Sequence, residues 1–283
     1  MDAFQDKLHR GLGVPAKLRA LQAPVCGALF ARGWCTVDGL LNAQDAALAR
    51  AEASEMYADG VYSPSYSLVE ETGEKLWRPN VHMMELGTDS WRTAPTIVVL
   101  LSELMAGLPD VVNDGFLKLD TTGHQHPLLS SRIFGHKLAA STASGARYPK
   151  HLDNVTGGAD KRKLTAVYYM NAGVWDAAAH GGAIRLYDGL PPDAPGGAFT
   201  DVPPVGDGGV ADRLLLFWSD LLVHEVLPMH APVGAATAGD SSDARHHRHT
   251  FTLWLTSEND GSLLDEQSPL YPLRVAHYPE RRE

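Results

Sequence analysis

The pattern of apolar and polar positions changes character at Arg132. Upstream of it the spacing favours helices. Residues 4–23 are helix-prone, with Pro15 placed to break the run or begin a second helix. Val25–Leu40 contains a helix and then a short strand candidate, Trp34–Val37. Asn42–Met56 reads as helix, because Asn42 can cap it and its Ala, Leu, Arg and Glu favour it. Its alanine-rich face suits packing against a sheet. Tyr62–Gly87 is irregular, with breaks at Pro64, Gly73 and Pro79. Ala94–Leu108 is a further helix, which Pro109 is expected to end. Asp110–Leu129, with Gly115, Gly123 and Pro127, reads as a loop with room for one strand.

From Arg132 the pattern becomes short β runs divided by Gly, Pro and Asp turns, the signature of an all-β sandwich or barrel. Leu164–Met170 alternates, and Ala183–Tyr187 follows a Gly-Gly pair. Leu214–Trp218 is apolar on both faces, which predicts a fully buried central strand. Gly189–Gly209 reads as a Pro/Gly-rich connection and Gly234–His247 as a protruding polar loop. No repeat and no separating linker interrupts the 283 residues. The helices precede the β part and should buttress one face of it.

Composition adds little except by exclusion. A net charge of −10 argues against general nucleic-acid binding, which wants a basic face, and is compatible with a neutral or basic peptide partner. The two cysteines, Cys26 and Cys35, fit buried or free thiols in a reducing compartment. The N-terminus lacks a signal-peptide pattern. The longest apolar run, near Ile97–Leu101, is broken by Ser102 and Glu103 and is too short to span a bilayer. These features predict a cytoplasmic protein, with the nucleus left open, and neither membrane nor nucleic acid as partner; they do not fix the oligomeric state, for which a monomer is the favoured expectation.

Candidate chemistry concentrates in Arg147–Asn154. His151 and Asp153 are two apart, so on a strand they project from one face, about 7 Å apart at the backbone. That suits two corners of one metal ion, and His224 offers a third. Two imidazoles and a carboxylate form the facial triad of non-haem Fe(II) oxygenases. Zinc could use the same set in a hydrolase. A cation near the open face discriminates, because such an oxygenase holds a dicarboxylate cosubstrate. Arg248 opens the run Arg248–Leu255. His249, Phe251, Leu253 and Leu255 share one face, and Arg248, Thr250, Thr252 and Trp254 share the other. A polar inward face with an arginine reads as a site, since an unpaired buried guanidinium is costly. Arg245 falls in the preceding polar loop and is the less suitable anchor. His246, His247 and His249 have no carboxylate or thiol at a fixed spacing and do not suggest a second metal site.

Several segments occur in an order that resembles the 2-oxoglutarate- and Fe(II)-dependent prolyl 4-hydroxylases. They are Tyr148–Asn154, Leu164–Asn171, Trp175-Asp176, Gly181–Tyr187, Asp212–Asp220, His224–Pro228 and Arg248–Trp254. The branch most similar includes the hypoxia-inducible-factor prolyl hydroxylases. The likeness runs from residue 25 to 258, with Asp212–Pro228 its most specific part and residues 60–135 only loosely similar.

It implies a mainly β fold with supporting α-helices, a double-stranded β-helix of the jelly-roll kind. Residues 1–283 would form one domain: 1–131 helical and mixed support, 132–258 the catalytic core, 259–283 a tail. It implies Fe(II) on His151, Asp153 and His224, with 2-oxoglutarate and O2 as cosubstrates and ascorbate as reductant. Arg248 and Tyr169 would bind the far carboxylate of 2-oxoglutarate, with Thr252 lining that pocket. Tyr148, Arg162, Trp254, Trp77 and Arg78 would touch the substrate, the last two from a strand pair and loop over it. The implied product is 4-hydroxyproline in a protein substrate.

Two features depart from the family. A tyrosine expected ten residues before the first metal histidine is Ser141, and the turn between His224 and Arg248 is longer. They leave open an oxygenase of the same mechanism acting on a small molecule or another residue type. A non-catalytic jelly-roll binding protein is a further alternative.

Overall fold

The structure is a computed structural model that describes residues 3–68, 72–119, 126–155, 160–171, 175–189, 198–206, 211–230, 246–259, 270 and 272–273. Three short helices open the chain: α1 (Ala3–Arg10), α2 (Val14–Ala20) and α3 (Gln22–Arg32). Pro15 lies in the first turn of α2, where its missing N–H is harmless. Strand β1 (Trp34–Asp38) follows, then α4 (Ala43–Ala58). As expected, the Asn42 side chain caps α4 by accepting from the Asp45 N–H.

Residues 62–87 contain a hairpin, β2 (Ser63–Leu68) and β3 (Lys75–Met84). Helix α5 (Pro95–Leu119) corrects the expected stop at Pro109, which lies inside the helix. A proline in a helix interior costs roughly 3 kcal/mol. Beyond it α5 buries Val111, Val112 and Phe116, each contributing roughly 1.5–3 kcal/mol, so packing outweighs the lost hydrogen bond. Gly115 marks a close approach to α3 and not a turn: a Cβ there would stand 2.3 Å from Cys26 Sγ. By length and composition alone α5 is long and apolar enough to cross a bilayer, as core helices also are. Its buried side packs on α2, α3, α4 and the next strand, β4 (Leu129–Ser141).

The β part continues with β5 (Tyr148–His151), β6 (Arg162–Tyr169), a helical turn α6 (Ala177–His180), β7 (Ile184–Leu186) and β8 (Thr200–Val202). It ends with β9 (Arg213–Trp218), β10 (His224–Val226) and β11 (Arg248–Ser257). Strand β8 lies inside the stretch expected to be only a connection. Two antiparallel sheets result, in the orders β1-β9-β6-β11-β4-β3-β2 and β5-β10-β7-β8. Strand β9 is buried throughout, as its two-faced apolar pattern predicts, and lies one strand in from the sheet edge, between β1 and β6. The helices pack on the larger sheet. Residues 234–245 of the expected protruding loop, Arg245 among them, lie outside the described residues. His247, at the end of that loop, is buried.

Candidate metal and dicarboxylate site

Both histidines sit on the smaller sheet and are cross-strand partners, His224 opening β10 against His151 at the end of β5. Backbone carbonyls orient both rings. His151 Nδ1 lies 2.7 Å from Pro149 O, and His224 Nδ1 lies 3.0 Å from Leu222 O. With a proton on each Nδ1, the Nε2 lone pairs are free to act as ligands. They stand 3.6 and 3.9 Å from Asp153 Oδ1. The other oxygen, Oδ2, accepts from Thr165 Oγ1 at 2.7 Å and from Trp254 Nε1 at 2.9 Å. One carboxylate oxygen is therefore held by the protein, and the other points at the imidazoles.

Electrostatics keeps Asp153 and His224 in their ligating forms. Burial alone would raise the Asp153 pKa, but His151, His224 and the Trp254 hydrogen bond hold it well below the usual carboxylate range. Burial, with the neighbouring His151, pushes His224 down to about 4. One ligand atom from each residue lies within 4.8 Å of the others, the only such group among the described residues. The set fits a divalent first-row metal with open positions left for other ligands.

The wall opposite comes from the larger sheet. Lys137, Thr165, Val167, Arg248, Thr250, Thr252 and Trp254 line the same cavity as the triad. The alternation expected for β11 is the one observed. Arg248 is 2% exposed and has no carboxylate partner among the described residues. Its Cζ lies 5.0 Å from the Tyr169 ring centroid, and its cross-strand partner on β4 is Ser141. Three buried polar atoms meet at this end without hydrogen-bond partners: Arg248 Nε, Tyr169 Oη and Ser141 Oγ. Buried polar groups are rarely left unsatisfied, so an arginine Nε and two hydroxyls without partners suit an anion such as a carboxylate.

The residues expected to touch substrate are distributed unevenly. Tyr148 is buried and lines the cavity. Trp254 lines it too, with its indole N–H committed to Asp153. Arg162 stands over Trp254, 5.7 Å from its ring, with its guanidinium paired to Asp160. Arg78 lies 5.0 Å from the Tyr148 ring and is bonded to Ser65, the Tyr66 carbonyl and Ser67. Trp77 is 58% exposed and does not line the cavity. Sequence reasoning missed Lys137 and Thr165. The signal for Lys137 was available, since Lys137, Ala139 and Ser141 alternate onto one face of β4.

The fold and site together define a class: a double-stranded β-helix carrying two histidines and one carboxylate between its sheets. Residues 137–256 match the model of the 2OG-Fe(II) oxygenase superfamily. A hypoxia-inducible factor prolyl hydroxylase of Caenorhabditis elegans is 28% identical over 263 residues, 87% of this chain and 30% of that protein. The human prolyl hydroxylase EGLN3 is 40% identical over 102 residues, 35% of this chain and 37% of that protein. The chain thus spans about a third of the length of these relatives. A prolyl hydroxylase from Trichoplax adhaerens, solved with a peptide fragment of the hypoxia inducible factor oxygen degradation domain, superposes with a TM-score of 0.61. That match has 23% identity and covers 88% of this chain and 94% of that one, a likeness of fold.

Proposed function

We propose that this chain is an Fe(II)- and 2-oxoglutarate-dependent dioxygenase that hydroxylates prolyl residues of a protein substrate to 4-hydroxyproline. The observation that carries the reading is the two-ended cavity. One end offers three converging ligand atoms, and the other offers Arg248, Tyr169 and Ser141 with unpaired polar atoms. A zinc hydrolase needs the first end and has no use for the second. Its relatives' names supply the prolyl substrate.

His151, Asp153 and His224 would hold the iron, and Arg248 with Tyr169 the far carboxylate of 2-oxoglutarate, beside Thr252. The bound metal and cosubstrate supply the oxidation, consuming O2 and releasing succinate and CO2 as a C–H bond becomes an alcohol. The chain's own residues bind, orient and shield. Thr165 and Trp254 fix the Asp153 carboxylate so that only one oxygen faces the metal position. Phe217, its ring 4.6 Å from that of His224, keeps water from the inner side of the ligand. Tyr148 forms an aromatic wall for the substrate. The buried thiols of Cys26 and Cys35 suit a reducing compartment, and we place the protein in the cytoplasm.

The test is 2-oxoglutarate turnover to succinate with a panel of proline-containing peptides, read with mass spectrometry of the peptides. The expected result is peptide-dependent succinate and one added oxygen on proline. Succinate release with every proline peptide unmodified refutes the prolyl assignment. No consumption of 2-oxoglutarate under any condition refutes the oxygenase itself.

A further inference from the structure

The cavity has a second cationic position that the oxygenase reading does not use. Lys137 lies on β4 opposite Thr252, whereas Arg248 lies opposite Ser141. The separation from Arg248 to Thr252 is four residues along β11, roughly 13 Å. Lys137 and Arg248 therefore mark different ends of the pocket. Lys137 Nζ stands 4.8 Å from the Trp254 ring centroid and 5.4 Å from that of Tyr148, between two aromatic walls. No carboxylate lies within ion-pair distance of it among the described residues. Arg78 approaches the same Tyr148 ring, and its hydrogen bonds go to hydroxyls and a carbonyl, with no acid among them. Arg162, by contrast, is neutralised by Asp160.

The charge balance at this end is one-sided. Asp153 is the one acid that acts on Lys137, and it is committed to Thr165, Trp254 and the histidines. Burial pulls Lys137 down to about 8, Asp153 pulls the other way, and Arg78, Arg162 and Arg248 add to the lowering. A half-buried ammonium without a counter-ion costs free energy that an incoming anion recovers.

We propose that Lys137, supported by Arg78, is a specificity determinant that receives a carboxylate of the prime substrate, so that the favoured substrate carries an acidic group close to the oxidised position. This rests on the oxygenase reading, and it deepens that reading by giving the substrate a charge. The carboxylate could belong to an acidic side chain in a peptide or to a free C-terminal acid, and the same lysine would read both.

The experiment is calorimetric titration of the anaerobic Fe(II) protein, loaded with 2-oxoglutarate, with two matched pairs of probes. The first pair is capped pentapeptides with a central proline flanked by glutamate or by glutamine. The second is N-acetyl-proline as the free acid or the amide. Wild type should bind at least one acid about tenfold to a hundredfold more tightly than its amide partner, the range for a hydrogen bond to a charged group. The pair that shows the preference identifies the source of the carboxylate. Lys137→Met should reduce the preference below about twofold by removing the charge-assisted bond. Lys137→Arg should keep it, which guards against a variant that only disturbs packing. Three results overturn the proposal: no preference in either pair, a preference undiminished in Lys137→Met, or a tenfold loss of 2-oxoglutarate affinity in that variant. The last would assign Lys137 to the cosubstrate. Failure of wild type to bind 2-oxoglutarate is a distinct result and refutes the oxygenase reading instead.

Discussion

Truncation of Arg248 to alanine separates an oxygenase from a hydrolase most directly. The side chain is 2% exposed and has no carboxylate partner among the described residues. Beside it are the unpartnered hydroxyls of Tyr169 and Ser141. A bound carboxylate would complete a buried ion pair, and removing one member of such a pair costs roughly 3–5 kcal/mol. At about 1.4 kcal/mol per decade, 2-oxoglutarate affinity should fall by about two to four decades. Iron should remain bound, since His151, Asp153 and His224 keep their own hydrogen bonds. Arg248→Lys should recover part of the loss, because an ammonium keeps the charge without the planar fork. Tyr169→Phe should cost less, about one to two decades, as one hydrogen bond to a charged acceptor. The assay is anaerobic titration of 2-oxoglutarate into the Fe(II) protein, followed by the metal-to-ligand absorption band. An Arg248→Ala protein with wild-type affinity would show that the deep end of the cavity does not hold the cosubstrate.

Other outcomes follow from the same geometry. His151→Ala or Asp153→Ala should abolish turnover and stoichiometric iron binding while circular dichroism stays unchanged; full activity in either variant removes it from the metal site. Thr165→Val and Trp254→Phe each delete a donor to Asp153 Oδ2 and should weaken metal binding by about tenfold to a hundredfold in a competitive chelator titration. A confirmed peptide substrate should raise hydrogen-exchange protection across residues 66–90, where the β2–β3 hairpin carries the exposed Trp77; equal protection with and without peptide counts against its role as a lid. Asp212 is buried under bonds from Tyr168 Oη and the Leu41 N–H, and burial raises its pKa to about 7. A carboxyl group with a raised folded pKa contributes stability below its unfolded pKa and loses it as pH rises through the folded value. Wild type should therefore lose stability relative to Asp212→Asn between about pH 4 and pH 7, and parallel denaturation midpoints across that range would contradict the shift.

The parts legible in the sequence were those whose local pattern agrees with their tertiary setting. Leu214–Trp218 is apolar on both faces because it is covered on both. Arg248–Leu255 alternates because one face meets the helices and the other the cavity. Asn42 caps the helix it precedes. The misreadings arose where a long-range contact overrides a local rule. Pro109 ends no helix, since the residues after it bury more than its missing hydrogen bond costs. Gly115 reads as a loop signal because its reason, the sulfur of Cys26, lies far away in the chain. Thr165 has no motif of its own and matters only through Asp153, twelve residues earlier. Lys137 belongs to neither group. Its alternation with Ser141 was visible, but a lone lysine on a strand gives no sign that its face lines a cavity.

Net charge illustrates the same division between global and local. At −10 the whole chain suggests a neutral or basic partner. That inference treats the protein as one sphere of charge. A ligand in a cleft responds instead to the groups lining it, whose field low-dielectric walls focus. Here those groups are Arg248 and Lys137, with Arg78 beside Tyr148, against Asp153, which is tied to the histidines. The acidic residues that dominate the total are elsewhere, or are matched as Asp160 is to Arg162 and Asp220 to Lys163. An acidic protein can thus present a cationic pocket, and the two scales predict opposite substrates. A cosubstrate with two carboxylates held by Arg248 at one end would leave Lys137 at the other, and the charge of the prime substrate would then be set by that lysine and not by the surplus of acids on the surface.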